Sequence, residues 1–350
     1  MLSKAFVTPV TSEQLITLAL KGMLHELDPT EGEYYTKEEA VALRTGVTKG
    51  VGQIGVDVRT KRGALVLVPS AGGPAARAGL RANDRLLSIN GNSVENLSAR
   101  EAVRLLEGPP ASSVRVKVVR EEAVGPLEIQ VVRTDIALPS VTVSRPSPDV
   151  AVLHLLTFDD ETLDRTAEQL SGEWKAHAFK GLVMDLRGSP GGLLASTVGL
   201  AAMFLKDGDV VGQSMGQDPD ANQVFGVSAL NTYVRSGSSR WLASLPESIR
   251  HVRLVVLVDE ATSGGAEMVA AALKDHRRAT LLGRPTFGRG NIHTVRTMPG
   301  GGVIKYTSAY WLSPSGKAID GIGVQPDRVI SVEDAQRAIQ LAVQALSESP

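Results

Sequence analysis

The sequence predicts an α/β layered core joined to a compact β-rich module and preceded by a helical arm. Three observations lead there. Apolar residues recur at helical spacing up to Asp28-Pro29, short β-branched runs alternate with glycine between about residues 46 and 134, and strands alternate with helices from about Pro139 onward.

Each part has its own punctuation. In the arm, Thr11 and Gln14 form a capping-box pattern ahead of Leu15, Leu18, Leu20, Met23, Leu24 and Leu27. Asp28-Pro29 ends that helix, and Thr36 with Glu39 opens a second one carrying Ala40 and Leu43. The module then offers strands at Val51–Val58, Ala64–Pro69, within Asp84–Gly91 and at Val114–Arg120, with a helix capped by Ser98 and Glu101 and stopped by Gly108-Pro109. In the core, strands are expected at Val150–Leu156, Gly181–Leu186 and Arg253–Val258. Helices follow from Asp159, from about Leu193 and after Thr262-Ser-Gly-Gly265. Gly212–Ser239, rich in Gly, Asn and Ser, reads as a mobile loop.

Composition narrows the function classes. Lys plus Arg (37) nearly balances Asp plus Glu (38), and no basic block stands out, so nucleic acid and anionic membranes are poor partners. With no cysteine, thiolate nucleophiles, disulfides and Cys-based zinc sites are excluded. His25, His154, His177, His251 and His276 show no metal-ligand spacing, so neither a metal nor an organic cofactor is expected. No apolar run is long enough to span a bilayer, and Met1–Val10 lacks the features of a signal peptide. That leaves either a cytosolic protein or one whose targeting segment was removed.

Several motifs in fixed order carry a resemblance. Gly52-Gln-Ile-Gly-Val56, Pro74-Ala-Ala-Arg-Ala-Gly-Leu80 and Asp84-Arg-Leu-Leu-Ser-Ile-Asn-Gly91 are similar to PDZ domains. Asp185-Leu-Arg-Gly-Ser-Pro-Gly-Gly-Leu-Leu194 resembles the signature of carboxyl-terminal processing (tail-specific) serine peptidases. Val258-Asp-Glu-Ala-Thr-Ser-Gly-Gly-Ala-Glu267, Thr286-Phe-Gly-Arg-Gly290, Gly321-Ile-Gly-Val-Gln-Pro-Asp327 and the arm's Gly22-Met-Leu-x-x-Leu-Asp-Pro29 extend it along nearly the whole chain.

The resemblance implies an α/β peptidase core, a crotonase/ClpP-like layering of sheet and helices, with an inserted β-rich PDZ domain. Its divisions would be an arm at 1–45, PDZ at 46–134, core at 135–330 and a C-terminal helix at 331–350. It further implies an exported, cell-envelope setting, with a cytoplasmic one left open. Polypeptide C-termini are the expected partners. The loop at Gly52, Gln53, Ile54, Gly55 and Val56 would take the terminal carboxylate, and an extended peptide would add to the neighbouring strand. Self-association is expected from the apolar faces of the arm at 1–45 and of Val332–Leu346, and assembly with an active paralogue from the substituted catalytic positions.

The same resemblance makes the departures informative. The family uses a serine nucleophile at a helix start, a neutral lysine base and a glutamine that orients the lysine. Aligning on Glu267 and Thr286-Phe-Gly puts Gly264, Arg289 and His293 at these positions, with the nucleophile-to-base spacing unchanged. Glycine has no nucleophile, and a guanidinium is not deprotonated in proteins. Gly191, Gly192 and Gly265 would still line an oxyanion region. The resulting expectation is a peptidase homologue that binds tails but is catalytically impaired. The alternative is an active serine endopeptidase cleaving C-terminal tails with Ser263 and His293 or with an unidentified arrangement, although Ser263 reads better as the helix N-cap. Lys274 lies about 15 Å along the helix from Ser263, a poor substitute base. An acyl transferase on a related core would explain the glycines but not the PDZ motifs.

Overall fold

The computed structural model describes residues 6–29, 31–40, 52–61, 63–70, 72–95, 97, 99–121, 123–134, 140–227, 245–330 and 335–348. Leu43, Val51 and Ser98, named above as helix, strand and cap residues, lie outside them.

The arm helix α1 (Ser12–Leu27) starts as its sequence dictates. The Thr11 hydroxyl accepts from the Gln14 amide at 3.1 Å, and the Gln14 side chain accepts from the Thr11 amide at 2.9 Å. Strand β1 (Glu33–Tyr35) then leaves the arm and joins the core, and Tyr35 packs with Ala40 and Val303. Thr36 and Glu39 cap the next helical stretch reciprocally.

The module is a sheet of β2 (Val56–Lys61), β3 (Ala64–Pro69), β4 (Asp84–Ile89), β6 (Ser113–Val119) and β7 (Leu127–Val132), in that order, with the short β5 (Asn92–Ser93) on β4. One-turn α2 (Pro74–Arg77) and helix α3 (Ala99–Leu106) close it. Alternation drives the packing: Val114, Val116 and Val118 of β6 are buried while their neighbours Ser113, Arg115 and Lys117 are exposed. Together with Leu67, Ile89, Ala102 and Leu106 they form a core separate from the rest of the chain. Strand β2 begins at Val56, later than the sequence pattern suggests, and β7 is an additional strand. β2 lies at the sheet's edge, beside α3.

The larger core is layered. A six-stranded sheet contains β8 (Val141–Ser147), β9 (Val150–Leu155), β10 (Gly181–Asp185), β13 (Arg253–Val258), β14 (Thr280–Gly283) and β17 (Arg328–Val329), parallel except for β8. On one face lie α4 (Thr162–Ala176), α5 (Leu194–Ala202) and α7 (Gly265–Asp275), packed on Leu153, Met184 and Val256. On the other lies α8 (Ala335–Glu348), whose Ala342, Ala345 and Leu346 meet Val152, Val183 and Val255. Burial on both faces explains the unbroken apolar runs of β10 and β13. The short α6 (Glu247–His251) precedes β13.

A second, antiparallel sheet holds β11 (Val210–Met215), β12 (Gln223–Gly226), β15 (Asn291–Thr297) and β16 (Val303–Leu312), and β1 of the arm extends it. This corrects the expected loop at Gly212–Ser239, for residues 210–215 and 223–226 are paired strands and 228–244 lie outside the described residues. Gly212 suggested a turn, but its actual role is close approach. A Cβ there would collide with the buried indole of Trp311, which also stacks on Phe225 at 5.0 Å.

Candidate active site

Two strand-to-helix turns and one strand wall meet in a cleft of about 530 Å³. The first turn joins β10 to α5. Asp185 ends the strand and accepts two hydrogen bonds from the Arg187 guanidinium, 2.8 and 2.6 Å, and one from the Arg187 amide at 3.1 Å, with His154 Nδ1 at 3.2 Å. Burial opposes the Asp185 charge, yet hydrogen bonds from Arg187 and His154 hold its carboxyl at about 2. After this anchor Gly191 and Gly192 pass along the cleft; a Cβ on Gly191 would strike the Gly265 backbone.

The second turn joins β13 to α7. Asp259 accepts from the amides of Gly188, Ala261 and Thr262, and the Thr262 hydroxyl donates to the Leu186 carbonyl at 2.9 Å. These bonds lock the two turns side by side. Gly264 is the N-cap of α7, with φ 54° and ψ −123°, a left-handed conformation costly for any other residue. With no side chain of its own to cap the helix, Gly264 donates its amide to Glu267 at 2.9 Å.

Glu267 joins this turn to the strand wall. Fully buried, it also accepts from the amides of Gly288 at 2.6 Å and Arg289 at 2.7 Å and from the Thr286 hydroxyl. Burial raises its pKa in spite of these four donors. Residues 264 and 289 are therefore fastened to one carboxylate.

Arg289, Asn291, Ile292 and His293 form the opposite wall. Arg289 Nη2 donates to Glu31 of the arm at 2.6 Å, and Nη1 is 3.8 Å from Asp57 of β2. Glu31 also accepts from Lys305 at 3.1 Å, and His293 Nε2 stands 3.3 Å from it without making a hydrogen bond. Burial, the Lys305 charge and that of Arg289 outweigh Glu31 and push His293 down to about 4, so its imidazole is neutral at pH 7. Asp57 holds Arg59, whose guanidinium lies 4.6 Å from the Phe287 ring centroid.

Residues 149–330 match the family described as peptidase family S41, and residues 65–120 match a PDZ domain. The chain belongs to peptidase family S41. It is 30% identical to a carboxy-terminal-processing protease of Bartonella bacilliformis over 93% of its own length and 71% of that protein's. Carboxy-terminal processing protease CtpA of Bacillus subtilis is 28% identical, over 90% of this chain and 63% of the relative. A probable CtpA-like serine protease of Staphylococcus aureus is 31% identical, over 93% and 62%. The chain thus spans less than two thirds of the latter two. The photosystem II D1 C-terminal processing protease superposes with a TM-score of 0.76 at 25% identity, covering 97% of this chain and 89% of that one.

The structure brings together the positions to which the resemblance points. Gly191, Gly192, Gly264, Gly265, Arg289 and His293 all line the one cleft. Ser263 does not act as expected: Gly264, not Ser263, occupies the N-cap, because Glu267 reaches back to the glycine amide. The Ser263 side chain is fully buried with its hydroxyl unpaired, and its amide donates to Ser189 at 2.9 Å. Lys274 is tied to Asp327 at 3.0 Å.

In the PDZ loop, two expected carboxylate donors are spent internally. The Gly52 amide bonds to Gly108 at 2.7 Å and that of Gln53 to Thr134 at 3.0 Å, which leaves the segment Ile54, Gly55 and Val56 at the head of β2. The sequence reasoning missed Glu31, Asp57 and Lys305. No local pattern marks them, since they reach the site from the arm, the PDZ sheet and a distant strand. Among the described residues, no cluster of three or more His, Asp or Glu could hold a metal, and no helix is long and apolar enough to cross a membrane.

Proposed function

We propose that this S41 member binds polypeptide C-termini through its PDZ groove and is impaired in cleaving them. One observation carries the reading: the cleft wall at the start of α7 presents Gly264, while the base position holds a guanidinium paired with Glu31. Neither group can deliver or accept the proton that a serine nucleophile must lose. The groove between β2 and α3 supplies an edge strand, and residues 54–56 supply the loop for a terminal carboxylate. An extracytoplasmic setting and partnership with an active paralogue belong to the same reading.

The test is a peptidase assay on unfolded polypeptide tails beside calorimetric titration of tail peptides. Binding without turnover is the expected result. A second reading has its own observation, the unpaired Ser263 hydroxyl and the neutral His293. Labelling by a fluorophosphonate that Ser263→Ala abolishes would establish that reading and sink the first.

A further inference from the structure

Arg289 has more donors than its contacts use. A guanidinium carries five N–H groups in a planar fork shaped for carboxylates. Among the described residues Arg289 makes one side-chain hydrogen bond, from Nη2 to Glu31. Its Nη1 is 3.8 Å from Asp57, beyond hydrogen-bond reach, and Nε has no partner. The side chain is a quarter exposed, and the face it shows belongs to the cleft.

The surroundings suit a carboxylate at the end of an apolar chain. Across the cleft from Arg289, the N-terminal end of the 11-residue α7 brings its positive dipole end to Gly264 and Gly265. The turn is closely packed there, for a Cβ on Gly265 would strike the Thr197 hydroxyl and stand 3.2 Å from the Gly192 nitrogen. His293 Nε2, a buried atom of the cleft wall without a hydrogen bond, can donate to a carboxylate as its N–H tautomer, whereas the equally unpaired Asn291 Oδ1 is itself an acceptor and offers a carboxylate nothing. Unsatisfied buried polar groups cost stability unless a ligand or water engages them. Leu193, Met268 and Ile292 complete the lining with apolar surface.

We infer that the cleft is a second carboxylate receptor, in which Arg289 binds the α-carboxylate of a polypeptide tail whose last apolar side chain rests on Leu193, Met268 and Ile292. This rests on the reading that cleavage is impaired, and it gives the altered site a ligand of its own, separate from the PDZ groove. Glu31 takes one part of the guanidinium fork and the ligand takes the rest.

The experiment titrates the full chain with acetyl-Ala-Ala-Leu, as free acid and as carboxamide, in a Val103→Glu background intended to block the PDZ groove, Val103 being a partly buried residue of α3 packed on the module's core. The free acid should bind one per chain, and the carboxamide about tenfold or more weaker, as expected for loss of a hydrogen-bonded charge. Arg289→Gln should abolish the difference between acid and amide. Glu31→Gln, which releases donors of the same guanidinium, should tighten the acid. Equal binding of acid and amide, or parallel weakening by Arg289→Gln and Glu31→Gln, would overturn the inference and leave Arg289 as a strut between arm and core. If Val103→Glu does not fold, the unaltered chain should bind the acid at two sites, of which Arg289→Gln removes one. One site that Arg289→Gln leaves intact sinks this inference while keeping the PDZ reading. No binding of any tail peptide sinks both.

Discussion

The Arg289 guanidinium and the Glu31 carboxylate meet at 2.6 Å across 258 positions of sequence. The contact ties the arm to the site, since Glu31 also holds Lys305 and Asp28 of the same turn accepts from the Thr307 amide at 2.8 Å. Arm and cleft wall should therefore respond to pH together.

For Glu31 the sign follows from its lowered pKa. Burial works against its charge, but Arg289, Lys305 and His293 hold it below the ordinary carboxylate value of 4.5. A depressed carboxylate contributes stability that is present above its unfolded pKa and is lost as pH falls through the folded one. Glu31→Gln should lower the melting temperature at pH 7, and the gap from the parent should close as the pH drops below about 4.5. Differential scanning calorimetry from pH 3 to 7 checks this; a gap that stays constant would contradict it.

His293 adds a window at higher pH. Its folded pKa of about 4 lies under the free value of 6.5, so the unfolded chain binds the extra proton first. Stability from this group is complete above 6.5 and drains away between 6.5 and 4. His293→Gln should flatten that part of the stability profile, measured by urea titration at stepped pH.

Glu267 should be the costliest side chain in the site to replace. Glu267→Ala takes the acceptor from the amides of Gly264, Gly288 and Arg289 and from the Thr286 hydroxyl proton, and breaking a largely buried set of this kind costs about 3 kcal/mol or more. Chemical denaturation gives the number, and a loss under about 1 kcal/mol would show that water replaces the carboxylate easily.

On the proposed reading, a serine introduced at residue 264 alone should fail twice over. Gly264→Ser places a side chain at φ 54°, with its Cβ 2.8 Å from the Pro190 carbonyl oxygen, at a cost of about 1–3 kcal/mol. Its hydroxyl would still face a guanidinium, so no turnover is expected until Arg289→Lys and His293→Gln are added. A peptidase assay on the single and triple variants separates these steps.

Gly212→Ala tests the second sheet. Its methyl would invade the Trp311 ring, and overpacking of this kind costs about 1–3 kcal/mol. Indole fluorescence and the melting temperature should shift together.

How much of this was legible beforehand depends on the range of each signal. The layered core announced itself because β10 and β13 are buried on both faces and read as unbroken apolar runs. Residues 264, 289 and 293 were pointed to by the family resemblance, and Glu267 binds the amides of the first two. Gly212 misled because glycine serves turns and close contacts alike, and only Trp311, 99 positions on, tells which. Ser263 misled because Gly264 occupies the cap beside it. Glu31 and Asp57 left no trace, as ion pairs between distant segments impose no periodicity.

Glu267 has one more consequence. The backbone of the site is held by a buried acid that contributes to folding whether or not any bond is cut. Such a frame grips residues 264, 288 and 289 by their amides and not by their side chains. The path of the chain around the cleft is thus set by one acid, whatever side chain residue 289 carries.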